Sequence, residues 1–569
     1  MSNVTAPGTA TRPVATLNPT LDPTLNRTLN HECRLVAATA SLLSVLSLVY
    51  CAQRHLLLLY GDAVAHLHIA RRIIDSADPG FRQLGSVWLP LPHLLLLPFV
   101  LRIEWWQSAV PAALPSMFCY VAGCVGIYRL ARMWLAPGPA SVAVALYGLN
   151  PGLLYMQTTA MTEPLFLAEM IWSALLLAEF ARAVESGSDR RASRALKAAG
   201  LVMVASIYTR YDGWIYAFTA WLIVAGGLLG NREFRSTGWR KRPGGAFVLF
   251  TVLLAIAPLL WIAYNARQFG DPLDFLRGPY SARAIEARTS TPGAAHYPGW
   301  HSMPVAALYF LKAAEGGMVV FWRGNRLLWC SIAGAIYGAV RFGAFRRSGT
   351  PMRAALLLWM PLPFYAYSIA YGSVPIFIPL WWPHSWYNTR YGMEMIPAFA
   401  LSLAMLAALV IGFAKLYQPK AQPWIVAAAL TLIAVNAALR ARATPLVLQE
   451  AYANSETRIP FERALADALI ATPRHDELLM YTSAHIGALQ QAGIPLRRTI
   501  NEGDYYHWKS ALRDPAHARP VIVAIDGDPV AEAVARHPGG LRLTSKICST
   551  GQPCARIYIS TVNFEGSSR

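Results

Sequence analysis

Apolar residues gather in eleven runs along the chain, near 35–59, 110–130, 138–150, 163–183, 197–209, 213–230, 246–264, 324–342, 354–372, 391–414 and 424–440. A helix rises about 1.5 Å per residue, so crossing ~30 Å of hydrocarbon takes about 20 residues. Several runs are shorter than that, and their order is better determined than their ends. After the first run the period changes. If the stretch from Gly61 is helical, Ala63, Leu67, Ala70 and Ile74 form an apolar stripe, with His68, Arg71, Arg72 and Asp75 opposite. That pattern predicts a helix lying flat at the headgroups. The prolines of 83–93 preclude a long helix and predict a second interfacial piece.

Beyond 440 the pattern becomes that of a small α/β domain. Strands are expected at 477–481 and 521–526, and helices near 460–472, 484–493 and 528–537. Asp526-Gly527-Asp528 reads as a strand-end turn. Residues 1–34, rich in Thr, Pro, Asn and Ala without apolar period, predict a disordered cytoplasmic tail. The expected organisation is therefore 1–34 tail, 35–440 membrane domain and 441–569 external α/β domain. The fold class is an all-α polytopic membrane protein of about eleven transmembrane helices, with interfacial helices in the first external loop and a small C-terminal α/β domain.

Composition agrees, with 55% hydrophobic residues, 14% charged residues and a mean hydropathy of +0.34. A net charge of +19 would suggest nucleic acid only if the basic residues formed a stripe. Instead they cluster between runs: Arg129 and Arg132; Arg182, Arg190, Arg191, Arg194 and Lys197; Arg232, Arg235, Arg240, Lys241 and Arg242; Arg341, Arg346, Arg347 and Arg353; Lys415 and Lys420. The positive-inside rule makes that side the cytoplasm, with the first run an uncleaved signal anchor. Loops 60–109, 150–162, 209–213, 265–323 and 373–390 then face outward, as does everything after 440, in a multi-pass plasma (inner) membrane protein. Of seven cysteines, Cys51, Cys119, Cys124 and Cys330 fall in or near spans and Cys33 is cytoplasmic. Cys548 and Cys554 could pair outside, and no zinc pattern is present.

The outward loops hold the unusual residues. Asp62 and His66 lie one helical turn apart, within reach of a common ligand. His93 ends the second interfacial piece. Thr162 could cap the fourth run, with Glu163 suited to its dipole. Arg210 and Asp212 sit between two short runs, and Arg390, followed by Tyr391, closes an aromatic-rich loop that also carries His384. One by one these residues read as caps and interfacial anchors. Their convergence on one surface favours chemistry on lipids, with Arg390 able to pair with a lipid phosphate as a fork of donors.

Tyr60-Gly61-Asp62 at the first exit and the amphipathic helix after it begin a recognisable order. Met161-Thr162-Glu163-Pro164-Leu165-Phe166 opens the fourth span, and Arg390-Tyr391 through Pro397 opens a late one. Together they resemble the GT-C integral-membrane glycosyltransferases, most of all the branch containing protein O-mannosyltransferases and the aminoarabinose transferase of lipid A, glycosyltransferase family 39-like. The resemblance spans roughly 35–440. It implies transfer of a hexose or pentose from a polyprenyl-phosphate sugar to a lipid, glycan or protein hydroxyl in the cell envelope, with inversion. Asp62 matches the base or acceptor-orienting acid, Glu163 the second external-loop acid, and Arg390 the late basic residue near the donor phosphate, joined by Arg210, Arg71 and Tyr391. His66, His93, Asp212 and His384 are candidates for substrate contact. Gly61 stands where an oligosaccharyltransferase-like pair would have a second acid, so no metal ligands are assigned, no cofactor is named, and a divalent metal stays open.

Two rivals remain. A transporter or lipid flippase would carry charges in mid-helix or broken helices in repeated halves, and neither pattern is visible. A non-catalytic scaffold leaves the clustered acids and arginines unexplained.

Overall fold

All eleven apolar runs are helical in the computed structural model, which describes residues 23–230, 235–236, 238–289, 295–320, 324–346, 349–483, 485–562 and 564. Among the described residues eight helices are long and apolar enough to cross a membrane: Asn26–Gln53, Pro111–Arg132, Glu163–Glu185, Asp212–Gly230, Arg242–Phe269, Thr350–Tyr371, Thr389–Tyr417 and Gln422–Ser455. The other three runs form Pro137–Gly148, Asp189–Thr209 and Arg326–Arg341. The first of these has 12 residues, about 18 Å of helix, too short to span a bilayer alone. Arg326–Arg341 meets Ile396–Tyr417 so closely at Gly334 that a Cβ there would lie 1.9 Å from the Ser402 carbonyl oxygen. A glycine is what the approach requires.

The first helix begins at Pro23, so the stretch expected to be tail up to residue 34 is helical from 23 on; residues 1–22 lie outside the described residues, as do Arg232 and Arg347. Met303–Met318 was expected to be loop. It is a helix because its two mid-helix charges, Lys312 and Glu315, pair at 2.8 Å and are buried together, which masks the apolar period from a reading that counts charges.

The interfacial helix forms as expected over Gly61–Ile74, followed by the short Pro90–Leu96 helix with proline in its first turn. Its surroundings differ from expectation. Ala63, Leu67 and Ala70 are fully buried, but His68 and Arg71 are buried too, while Ile74 is exposed. Arg71 binds Asp75 at 2.7 Å and donates to the Val100 and Leu101 carbonyls at 2.6 Å each, so the polar face is roofed by protein rather than by headgroups.

The roof includes the C-terminal domain. Strands β1 (Leu478–Met480), β2 (Thr499–Ile500), β3 (Val521–Ile525), β4 (Leu541–Ile547) and β5 (Ala555–Ser560) form one sheet in the order β2-β1-β3-β5-β4. β2, β1 and β3 are parallel; β5 and β4 add antiparallel. Alternation divides the sheet's two faces. Leu479, Ile522 and Ala524 pack with Val530 and Val534, whereas Leu478, Met480, Val521 and Val523 join the core that runs through the membrane helices. The expected helices appear as Arg458–Ile470, Ile486–Ala492 and Pro529–Arg536, the last capped by Asp528, which accepts from Ala531 N at 2.6 Å. Cys548 and Cys554 are disulfide-bonded in the β4–β5 turn.

Candidate active site

Three helix starts and one connecting loop bring the site together. Glu163 opens Glu163–Glu185, Asp212 opens Asp212–Gly230, and Arg390 with Glu394 lies in the tight turns of Thr389–Met395 that lead into Ile396–Tyr417. Asp62, in the first turn of Gly61–Ile74, faces them. A helix start leaves unpaired N–H groups and a positive dipole end, which is why acids settle there. Thr162 does not cap its helix; its Oγ1 accepts from Arg210 Nη1 at 3.1 Å.

Arg390 is the hub. Its Nη2 binds Asp62 Oδ2 at 2.5 Å, its Nη1 binds Glu450 Oε1 at 2.8 Å, and its Nε lies 3.3 Å from Glu163 Oε1. Arg210 is the second: Nε to Asp212 at 3.2 Å, Nη2 to Glu394 at 3.3 Å and to the Tyr365 hydroxyl at 2.7 Å, and Nη1 3.7 Å from Glu163. Tyr391 lies between them, with guanidinium carbons 4.9 and 5.0 Å from its ring centre, and stacks on Tyr365 at 5.2 Å. The two arginines thus share one aromatic ring and one carboxylate, Glu163.

Glu163 is completely buried, and neither of its oxygens has a hydrogen-bond partner. It is held by charge alone, with room in its hydrogen-bonding capacity for a hydroxyl donor. Asp62 is the opposite case, 41% exposed and open on one side. Five carboxylates (Asp62, Glu163, Asp212, Glu394 and Glu450) surround two guanidiniums. The Tyr365 oxygen lies 2.7 Å from Glu394 and 3.2 Å from Asp212, yet it owns a single proton. It also accepts from Arg210 Nη2 at 2.7 Å, so the hydroxyl ties both acids to that guanidinium.

The histidines divide. His66 and His93 are buried and meet Nδ1 to Nε2 at 2.9 Å, with the Trp88 ring tilted against His66 at 4.4 Å. Burial pushes the His66 imidazole down to about 4 and His93 well below its usual range, so both are neutral near pH 7. His384 is exposed on its loop, against the Pro379 carbonyl, and is not part of the cluster. Nor is Arg71, whose donors are used by Asp75 and the 100–101 carbonyls.

Sequence reasoning missed Glu394, Tyr365 and Glu450. Glu394 stands four residues after Arg390, a spacing that could have marked it. Glu450 was assigned to the external domain, but the Leu446–Ser455 helix folds back so that Glu450 accepts from Thr389 Oγ1 at 2.5 Å and from Arg390 N at 3.1 Å. No periodicity announces such a return.

No protein-family model matches the chain, and no curated protein sequence matches it. Among solved structures, it is similar to ArnT from Cupriavidus metallidurans bound to undecaprenyl phosphate, with a TM-score of 0.53 and 15% identity over 92% of this chain and 97% of that one. The chain has the GT-C fold. The apo state of that ArnT (TM-score 0.49, 14% identity, 90% of this chain and 97% of that one) and the apo oligosaccharyltransferase of Archaeoglobus fulgidus (0.49, 15%, 87% and 69%) lie further off. In this chain the segments that carry Glu163, Asp212 and Arg390 all open toward the same end as Asp62.

Proposed function

We propose that the protein is a membrane glycosyltransferase that moves a sugar from a polyprenyl phosphate to a hydroxyl of a lipid, glycan or protein acceptor. The observation that carries this reading is the shared coordination of Arg390, a buried guanidinium with one of its partners, Asp62, reaching solvent. Each Arg390 nitrogen faces a carboxylate, so a donor phosphate that takes a charge-assisted bond at Nη2 competes with the acid already there. Asp62 is the exposed one. When phosphate takes Nη2, Asp62 is released beside the anomeric carbon with its lone pairs free. The acceptor oxygen attacks that carbon, its proton passes to Asp62, and the bond to the phosphate oxygen breaks with inversion, leaving polyprenyl phosphate paired with Arg390. Glu163 receives a hydroxyl of acceptor or sugar, filling its unused hydrogen bonds. The ArnT of similar fold was solved with undecaprenyl phosphate, which supports a lipid-phosphate donor here. The sequence's basic clusters support an orientation with this end of the bundle on the extracytoplasmic side of the plasma membrane.

The test is transfer from a synthetic polyprenyl-phosphate sugar by purified protein in sealed vesicles, with donor binding measured on the same sample. Asp62→Asn is expected to bind donor at least as well as wild type, since it no longer competes for Arg390, and to lose ~10² to 10⁴ in transfer rate. Donor should be used only from the extracytoplasmic face. Full activity in the Asn variant would remove Asp62 as base.

A further inference from the structure

The first external loop and the C-terminal sheet meet at a second group of side chains outside the Arg390 network. Asp78 lies in the turn after Gly61–Ile74, and Asp504 and His507 lie in the loop after β2. One ligand atom from each, two carboxylate oxygens and an imidazole nitrogen, lie within 4.8 Å of one another. Asp504 is 2% exposed. Its Oδ1 accepts from the backbone N–H of Tyr506 at 3.2 Å and of His507 at 2.9 Å, and lies 3.2 Å from His507 Nδ1. Its Oδ2 has no hydrogen-bond partner, and neither does Asp78 Oδ2. A buried carboxylate oxygen without a donor, beside a second carboxylate in the same condition, is costly unless something positive lies between them.

We propose that Asp78, Asp504 and His507 hold a divalent transition cation, Zn²⁺ or Mn²⁺, between the first external loop and the C-terminal domain. Two carboxylates and one imidazole suit these ions better than Ca²⁺ or Mg²⁺, which prefer all-oxygen sets. Bonds of ~2.0 to 2.2 Å space tetrahedral ligands about 3.4 Å apart, within the observed limit. The exposed side of His507 leaves the remaining coordination to water. Around the ion the loop and the domain already touch: Gln83 Nε2 donates to the Gly503 carbonyl at 2.8 Å and to the Asp78 carbonyl at 2.9 Å, and the Arg82 guanidinium sits 3.7 Å over the Tyr505 ring. The ion thus acts as a clamp on the domain that roofs the Asp62 helix, and it takes no part in bond making.

The experiment uses tag-free full-length protein in detergent, stripped with chelator and titrated with zinc or manganese chloride. One equivalent of metal is expected to bind and to raise the unfolding temperature. Asp78→Asn and His507→Ala should lose both effects while unfolding normally in chelator, His507 being exposed, and Asp62→Asn should keep both. Metal binding and stabilisation retained in both variants would overturn the assignment. So would a wild type that binds no metal but shows an acid-dependent unfolding step lost in Asp78→Asn, the mark of a proton shared by two carboxylates.

Discussion

The two ends of the helical bundle are built from the same residues and use them differently. At one end, arginines pair singly: Arg129 with Glu179 at 2.8 Å, each about one-third exposed and near water, and the more buried Arg132 with Glu32 at 3.0 Å. At the other, Arg210 and Arg390 are shared among five carboxylates, most of them fully buried. A pair near water gains little, because hydration and salt already satisfy it. A buried guanidinium that serves several acids is held rigidly, and the geometry of each partner depends on all the others. The first arrangement suits orientation in a membrane. The second suits a site that must bind and release an anion.

The sharpest way to break the contrast is Arg390→Ala. It leaves Glu450 as a buried carboxylate without a counter-charge and Glu163 with Arg210 alone, at 3.7 Å, and removal of one member of a buried pair costs about 3 to 5 kcal/mol. Loss of transfer together with a fall in unfolding temperature is expected. Arg390→Lys, which keeps the charge but not the fork, should recover the temperature more than the activity. If Ala and Lys behave alike and mildly, Arg390 is an anchor.

Next in size is Glu450→Gln. The amide oxygen can still accept from one neighbour, but the charge on Arg390 Nη1 is unmatched, and a hydrogen bond to a charged group contributes about 1.5 to 3 kcal/mol. Because Glu450 acts through Arg390, the change should appear in KM for the lipid donor more than in kcat. An unchanged KM would make Glu450 a folding contact only.

A smaller effect concerns pH. The folded protein holds the His66 imidazole down at about 4, against 6.5 for the free side chain, because burial disfavours its charged form. The unfolded chain therefore binds a proton that the folded one refuses. This group's contribution is complete above about pH 6.5 and declines as pH falls toward about 4. His66→Phe, which keeps a ring against Trp88, should flatten that limb of the unfolding temperature between pH 6.5 and 4; an unchanged slope would show that His66 is solvated.

Smallest of all is the control at the other end. Arg129→Ala should cost no more than about 1 kcal/mol and leave transfer kinetics alone. A loss comparable to that of Arg390→Ala would erase the distinction between the ends.

The sequence made the helices legible because each apolar run must satisfy its own backbone in lipid, and helix is the economical way to do it. The C-terminal strands at 478–480 and 521–525 were legible for a related reason: short β-rich runs between turn residues have few alternatives. Asp62, Glu163, Arg210, Asp212 and Arg390 were singled out as charges at the mouths of apolar runs, and the structure brings all five together. What could not be read is pairing across distance. Arg71 looked as available as Arg390, and only the fold shows its donors spent on Asp75 and two carbonyls. Met303–Met318 was hidden by two charges that cancel, and Glu450 by a chain reversal after the last span.

That reversal has a consequence for biogenesis. Arg390 enters the membrane 60 residues before Glu450 is synthesised. A nascent chain whose spans are all inserted therefore still carries an arginine that lacks one of its anionic partners, and the first loop still lacks the sheet that covers it. The pocket is thus closed by a segment made after the helices that carry Glu163, Arg210 and Arg390.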